Sequence, residues 1–398
     1  MEVHGSKRLN SLGAYAFAAI NEKVDQLRAQ GLTPVDFGVG DPTLPTPEIV
    51  RQATIAGVER WKSGGYPPYV GTLEFRQAVA DWNQRRFGVT LDPQTEICSS
   101  IGSKEGIFNF PEAILDPGDI VLVPDPGYPP YARGTLFAEG ESFYVPILAE
   151  NDFLPDLDSI PADIAARAKI FWLTQPNSPT GKVASADYMK RWIKYCQDHQ
   201  IIAASDEAYT EIYFGDPPHS ALEFDRDGVV VFQSLSKRSA MTGYRVGWVA
   251  GDERILALFR KVKTNLDSGT PLFVQDAAVA ALSDETHVAD MRGVYRELRD
   301  LLVDAFVAAG CPRCEPEAAM YIWQRAPEGV SAMQFAEALL DPRIAAVTVP
   351  GELLCLEPSK HADGCPFVRL ALVPTVEDCQ RVATAIREVL PEVLAKIT

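Results

Sequence analysis

234-SLSKRSAMTGYRVGWVAGD-252 sets a lysine just past an apolar strand, 229-VVVFQS-234, with an arginine eight positions further on. In open α/β sheets, ligands sit beyond the carboxyl ends of strands. A lysine at that place, Lys237, is a candidate amine for a Schiff base with a carbonyl cofactor. Ser234 and Ser236 are candidate donors to a phosphate, and Arg245 a candidate bidentate grip on it. Taken alone the string is weak, because most lysines are simply solvated. The rest of the chain has to decide.

Outward from this segment the pattern alternates. Strand candidates are 119-DIVLV-123, 142-SFYVP-146, 169-KIFWLT-174, 201-IIAAS-205, 229-VVVFQS-234 and 245-RVGWVAG-251. Several are continuous apolar runs, as a sheet covered on both faces requires. Helical patterns, including 184–199 and 252–266, separate most of them, which argues for an α/β layered domain with a mainly parallel sheet. Further helices are expected at 9–30, 48–61, 72–87 and 103–115, with a short strand over 35–40. After 284 the rhythm changes to a long amphipathic helix. Val288, Met291, Val294, Tyr295, Leu298, Leu301, Leu302 and Phe306 form its inner stripe. Strand-like pieces at 319–323, 345–349 and 367–372 and helices near 331–340 and 375–396 follow. The expectation is a large domain over 46–283 and a small α+β domain built from 1–45 and 284–398.

Composition narrows the function. The chain has 398 residues, with 37 basic and 54 acidic side chains and a net charge of −17. Such a chain repels nucleic acid and anionic membrane, and no run of Lys/Arg exceeds two. No apolar run approaches the roughly 18 residues a membrane span needs. Seven cysteines and a start, MEVHGSKRLNS, without an apolar targeting core point to reduced thiols in a cytoplasm. Cys311-Pro-Arg-Cys314 has C-x-x-C spacing, but no second pair follows at zinc spacing, so it reads as structural and no metal is expected.

Four more segments carry candidate chemistry. In 205-SDEAYTEIYF-214, Asp206 ends an apolar strand, and a carboxylate there suits the protonated pyridine nitrogen of pyridoxal phosphate. Tyr209 follows, a candidate partner of the ring hydroxyl. In 173-LTQPNSPTGK-182, Asn177 lies among prolines that stiffen its backbone. In 101-IGSKEGIFN-109 a glycine and a serine open a helix, whose N-terminus suits an anion. Tyr128, in 124-PDPGYPPY-131, is a planar candidate to stack on a ring. Finally, Arg369 sits inside the apolar strand 366-PFVRLAL-372, where a guanidinium is costly unless a carboxylate meets it. Each has an ordinary alternative: a capping Asp, a turn, a helix cap, aromatic packing, a structural salt bridge. Their joint occurrence at strand ends is the informative fact.

Together these residues resemble the class I/II aminotransferases of the fold-type I pyridoxal-phosphate superfamily, from 35-VDFGVGDPTLPTP-47 to 367-FVRLAL-372. The resemblance implies a fold-type I transferase with a large α/β domain, a mainly parallel seven-stranded sheet, and a smaller α+β domain. It implies pyridoxal 5'-phosphate as cofactor. Lys237 resembles the Schiff-base lysine and proton shuttle, Asp206 the pyridinium partner, and Tyr209 and Asn177 the ligands of the ring oxygen. Tyr128 matches the stacking position. Ser103 and Lys104, Ser234, Ser236 and Arg245 match the phosphate cup. Tyr66, in 66-YPPYVGTLEFR-76, matches a tyrosine that reaches the neighbouring subunit's phosphate, which implies a homodimer with shared active sites. Gly40, Asn177 and Arg369 match the substrate α-carboxylate site.

Within the superfamily the chain is most similar to LL-diaminopimelate aminotransferases. The likeness rests on 101-IGSKEGI-107, 122-LVPDPGYPPY-131, 241-MTGYRVGW-248 and 261-KVKTNLDSGT-270. Tyr15 falls where that group has a substrate-facing tyrosine. A competing likeness, in 234-SLSKRS-239, 286-THV-288 and 367-FVRLALVPTVEDC-379, is to N-succinyldiaminopimelate aminotransferases. The stretch 350-PGELLCLEPSKHADGCP-366 departs from the first group by lacking its glycine-phenylalanine-glycine turn, and 175-QPNSP-179 replaces a more usual Tyr/Ser-Pro-Asn-Asn-Pro. The implied reaction is transfer of an amino group from an L-amino acid to a 2-oxo acid such as 2-oxoglutarate. Aspartate and other donors stay open. Lyases, decarboxylases and racemases share the fold. A non-catalytic regulator with such a domain is the remote alternative, and the acidic charge argues against it.

Overall fold

The structure is a computed structural model that describes residues 1–12, 18–355 and 365–397. Near the N-terminus the helix Ala18–Ala29 ends ahead of Gly31, whose φ of 81° needs no Cβ penalty. Ile20, Val24 and Leu27 lie on its buried face. The strand expected over 35–40 shrinks to β1 (Val35–Asp36), paired in parallel with Ala346–Val347. Asp36 itself turns the chain away, because its carboxylate accepts the Gly38 N–H at 2.7 Å.

The chain forms two compact units. One comprises residues 41–295 and 317–320; the other comprises 1–40, 296–316 and 321–398. The division falls inside the helix Thr286–Ala308 instead of ahead of it, and 41–45 go with the large unit. The physical reason is that this helix is one uninterrupted stripe, with Val288, Met291, Tyr295, Leu298, Leu302 and Phe306 buried along its length. Val294 and Leu301 are partly buried.

The large unit is built on a seven-stranded sheet. Its strands are β2 (Ile97–Ser100), β3 (Ile120–Asp125), β4 (Glu141–Pro146), β5 (Ala168–Thr174), β6 (Ile202–Asp206), β7 (Val229–Ser234) and β8 (Gly247–Gly251), in the order β2-β8-β7-β6-β5-β3-β4. Pairs from β7 through to β4 are parallel; β8 runs antiparallel to both β7 and β2. The fold class is therefore the α/β one expected. The parallel strands β3, β5 and β7 are almost wholly buried, as a sheet covered on both faces demands. Strand β2 is an addition to the strands expected from the sequence.

Helices flank this sheet with the caps their sequences encode. Thr72 accepts the Phe75 N–H at 3.2 Å to open Leu73–Phe87, and Gly88 closes it at φ 70°. The helix expected over 103–115 stops at Asn109 and continues as a 3-10 turn, Phe110–Ala113, because Pro111 cannot donate to an α-helical ladder. Two longer helices are among those that arise where the sequence pattern predicts none. Pro130–Phe137 begins on Pro129–Pro130, whose missing N–H groups are harmless in a first turn, and Leu272–Ser283 follows Pro271 in the same way. Trp82, Trp172, Trp192 and Trp248 are fully buried, with Trp82 meeting Trp248 edge-on at 5.5 Å.

The other unit carries an antiparallel sheet. β9 (Tyr321–Arg325) pairs with β12 (Phe367–Ala371), which pairs on its far side with β11 (Val349–Pro350), the strand after β10 (Ala346–Val347). The helices Ala332–Leu339 and Val376–Leu394 complete it.

Candidate active site

In the large unit, register lines up the candidate residues along one edge of the sheet. Thr174 ends β5 opposite Asp206 at the end of β6, and Asp206 is opposite Phe232 on β7. Two residues further, Ser234 is opposite Gly247 on β8, and Gly247 is opposite Ser100 on β2. Neighbouring strands lie about 4.8 Å apart, so this row forms a continuous shelf at the strand ends. Lys237 rises from that shelf on a single helical turn, Leu235–Arg238, opened by Ser234, whose hydroxyl accepts the Ser236 N–H at 3.2 Å.

At one end of the shelf lies a buried carboxylate. Asp206 accepts the Tyr131 hydroxyl at 2.7 Å and the Ala208 N–H at 3.2 Å. Tyr131 also meets the Thr174 hydroxyl at 2.9 Å and stacks on Trp172 at 4.8 Å. Burial pushes the Asp206 carboxyl up to about 6, against the two hydrogen bonds that pull it down. An anion kept dry and short of charge is a fitting counterpart for a protonated ring nitrogen. Next to it, Glu207 is pushed up to about 7 by burial and is held by Ala221, Ser220 and Gln233. Sequence reasoning missed Tyr131 and Thr174 as members of this site. The only signal was their position, at the ends of 124-PDPGYPPY-131 and 169-KIFWLT-174.

At the other end lies an anion cup. Gly102 sits at φ 75°, and a Cβ there would come within 2.5 Å of an Arg245 guanidinium nitrogen. The glycine therefore lets the guanidinium lie against the start of the helix Ser103–Asn109. Arg245 itself is at φ 54°, which delays β8 to Gly247, two residues after the expected start, and its Nη1 donates to the Thr242 carbonyl at 2.8 Å. A Cβ on Gly247 would come within 3.1 Å of the Ser103 backbone nitrogen. The Ser100 hydroxyl is buried there without a hydrogen-bond partner among the described residues. Ser103 is half-buried, Lys104 exposed, and Ser234 and Ser236 are buried. A guanidinium, helix-start N–H groups and hydroxyls around a spot too tight for a Cβ form a donor set that fits a phosphate.

Elsewhere in this unit, Asn177 is buried, and its side-chain oxygen accepts from both the hydroxyl and the N–H of Thr180, at 2.8 and 3.3 Å. That leaves the NH2 as the donating end. Tyr209 is half-buried in the turn after β6, its carbonyl accepting from Ile212. Tyr128 is half-buried and meets Tyr131 edge-on at 5.7 Å. Tyr66 stands 89% exposed.

In the other unit, Arg369 on β12 donates to the Gly38 carbonyl at 2.7 Å and lies 4.8 Å over the Tyr321 ring. Its Nε is buried without a partner among the described residues. A Cβ on Gly40 would fall 2.0 Å from the Tyr321 hydroxyl, so a side chain there would displace the Tyr321 ring. Tyr15 lies outside the described residues, as does 356–364 of the 350–366 stretch.

The fold, with a cup for phosphate and a buried carboxylate on one shelf, is that of a fold-type I pyridoxal-phosphate enzyme. The chain belongs to the class I and II aminotransferase family, whose model matches residues 33–386, and it is a pyridoxal-phosphate-dependent enzyme of the transaminase type. It is 44% identical to an LL-diaminopimelate aminotransferase of Aquifex aeolicus over 87% of this chain and 90% of that one. It is 39% identical to the LL-diaminopimelate aminotransferase of Moorella thermoacetica over 98% and 99%. Among solved structures, substrate-bound BacF from Bacillus subtilis superposes with a TM-score of 0.88 at 30% identity, over 98% of each chain.

Proposed function

We propose that this aminotransferase acts on an amino donor of the diaminopimelate type, as an LL-diaminopimelate aminotransferase with 2-oxoglutarate as the partner oxo acid. The observation that carries the reading is the 44% identity with the Aquifex aeolicus protein of that name. When bound, pyridoxal phosphate supplies an aldehyde for the amino group and a ring that draws electrons from the α-carbon. Lys237 Nζ would be the base that takes the α-proton from the substrate and gives it up again. Asp206 would keep a ring nitrogen protonated, and Asn177 and Tyr209 would be the residues that hold the ring oxygen. Tyr128 would pack against the ring. Ser103, Lys104, Ser234, Ser236 and Arg245 would hold the phosphate. Arg369 and Gly40 would receive the α-carboxylate, and an Arg369 Nε without a partner among the described residues supports that assignment.

The proposal extends to a cytoplasmic homodimer in which Tyr66 reaches the neighbouring subunit's phosphate. Support comes from Tyr66 itself and from Ile55 and Val58, apolar side chains left exposed on the helix Glu48–Arg60. Cys98, Cys196, Cys311, Cys314 and Cys379 are free thiols, which suits a reducing compartment.

The deciding experiment is a donor panel on the cofactor-loaded enzyme, read by conversion to pyridoxamine phosphate. LL-diaminopimelate is expected to convert the enzyme far faster than aspartate or N-succinyldiaminopimelate; the reverse order overturns the substrate assignment. Lys237→Ala is expected to remove both the visible band of the lysine-bound cofactor and turnover. A variant retaining both removes the assignment of Lys237.

A further inference from the structure

The two residues after Lys237 are tied down from outside their own turn. Arg238 is almost fully buried. Its Nη1 donates to the Ala281 carbonyl at 2.8 Å and to the Ser239 hydroxyl at 3.0 Å, and its Nη2 to Glu285 at 2.6 Å. The Ser239 hydroxyl meets His287 Nε2 at 2.9 Å, and His287 Nδ1 meets Asp284 at 2.9 Å. Ala240, next along, takes a φ of 48°, and its carbonyl accepts the Thr46 hydroxyl at 2.8 Å. So the chain that leaves the lysine is gripped by Ala281, Glu285 and His287, around the junction of the helices Leu272–Ser283 and Thr286–Ala308.

The donors and acceptors have one consistent direction. Asp284 only accepts, so Nδ1 carries the imidazole proton. Nε2 is then bare and accepts the Ser239 hydroxyl, whose oxygen in turn accepts from Arg238. Serine, histidine and aspartate in this order also make an acyl-transfer triad. Here, however, Ser239 is fully buried and its oxygen is engaged by a guanidinium, so it is not placed to attack a substrate. What the chain of bonds does is fix the backbone that leads from Lys237 to Ala240, whose φ is positive. A non-glycine residue with positive φ persists only where its surroundings over-determine it.

We propose that Ser239 and His287 are positioning residues for Lys237, holding the turn that carries its amine through the Asp284–His287–Ser239–Arg238 chain. The proposal rests on the reading of Lys237 as the cofactor-bearing lysine. His287 also lines a cavity of about 220 Å³ with Leu44, Pro45, Met291 and Val294. The charged groups around it are Asp284, Glu285, Arg238 and, on the cavity wall, Asp290. Burial holds the imidazole below its ordinary pKa, which keeps Nε2 bare near neutrality. Protonation would set a second donor against a hydroxyl oxygen already engaged by Arg238.

The test uses the cofactor-loaded enzyme and two readouts: the pH titration of the lysine-bound cofactor's visible band, and kcat and KM for the amino donor. Ser239→Ala and His287→Ala are each expected to move the band's midpoint by about half a pH unit or more. They are expected to lower kcat roughly three- to tenfold, the worth of one hydrogen bond, with KM unchanged. His287→Gln, which keeps an acceptor within reach of Ser239, is expected to return the midpoint towards the wild-type value. Wild-type titration and kcat in both alanine variants, or a change in KM alone, overturns the proposal. If His287→Ala does not fold, Ser239→Ala decides alone, because it deletes one oxygen. Lys237→Ala is the control: a band that survives there refutes the lysine assignment, and the positioning role with it, whatever the other variants do.

Discussion

Tyr131→Phe is the most informative single change, because it alters one hydrogen bond to the carboxylate on which the cofactor reading depends. The hydroxyl donates to Asp206 at 2.7 Å, and this bond is one of the influences that lower the carboxyl's pKa against burial. A hydrogen bond to a charged group is worth about 1.5–3 kcal/mol, and a tenfold change in proton affinity about 1.4 kcal/mol, so its loss raises the Asp206 pKa by roughly one to two. The sign follows from linkage. Asp206 already has a folded-state pKa, about 6, above its ordinary 3.8. A raised group contributes stability that is present below the unfolded pKa and lost as pH rises through the folded one. In wild-type apo-protein that loss is complete soon above pH 6; in Tyr131→Phe it continues to a pH higher by roughly one to two. The assay is denaturant unfolding of both apo-proteins at about pH 5.5 and about pH 8.5. The stability gap is expected to be wider at the higher pH by about 1–3 kcal/mol, the worth of the lost hydrogen bond. Glu207, raised to about 7, titrates in both proteins and cancels in the comparison. Cofactor affinity at neutral pH should fall as well, since the variant's Asp206 keeps its proton. An equal gap at both pH values would refute the view that Tyr131 sets the charge of Asp206.

Three further expectations follow from the same geometry. Gly102→Ala places a methyl 2.5 Å from the Arg245 guanidinium at φ 75°, so pyridoxal-phosphate affinity, measured by absorbance titration, should drop roughly tenfold while the apo-protein loses only about 1 kcal/mol. Lys263 is fully buried between Asp267 at 2.7 Å and Glu105 at 3.3 Å; Lys263→Met leaves both carboxylates without it and should cost about 3–5 kcal/mol in unfolding experiments. Arg369→Ala should raise KM for amino and oxo acids alike by about tenfold or more, with cofactor binding intact, as expected when a bidentate carboxylate grip is lost; unchanged KM values would move the carboxylate site elsewhere.

Much of the architecture was readable because it is local. Continuous apolar runs such as 169-KIFWLT-174 and 229-VVVFQS-234 have no stable place except a covered sheet. Polar residues at their ends then fall on the shelf where α/β proteins bind ligands. That much of Lys237, Asp206 and Ser234 follows from chain order and strand chemistry. The short strand Ile97–Ser100 was not readable: its Cys-Ser-Ser ending has no strand signature, and β8 alone pairs it into the sheet. Nor were the partners of Asp206 readable. Tyr131 precedes it by 75 residues, and the Ser239–His287 contact spans 48. The sequence by itself determined most of the helices and the parallel strands, and which polar groups stand at those strands' ends, since those depend on neighbours a few residues apart. Only the tertiary structure decided which of those groups share a proton or a hydrogen bond, because such bonds depend on distances of about 3 Å between segments far apart in the chain.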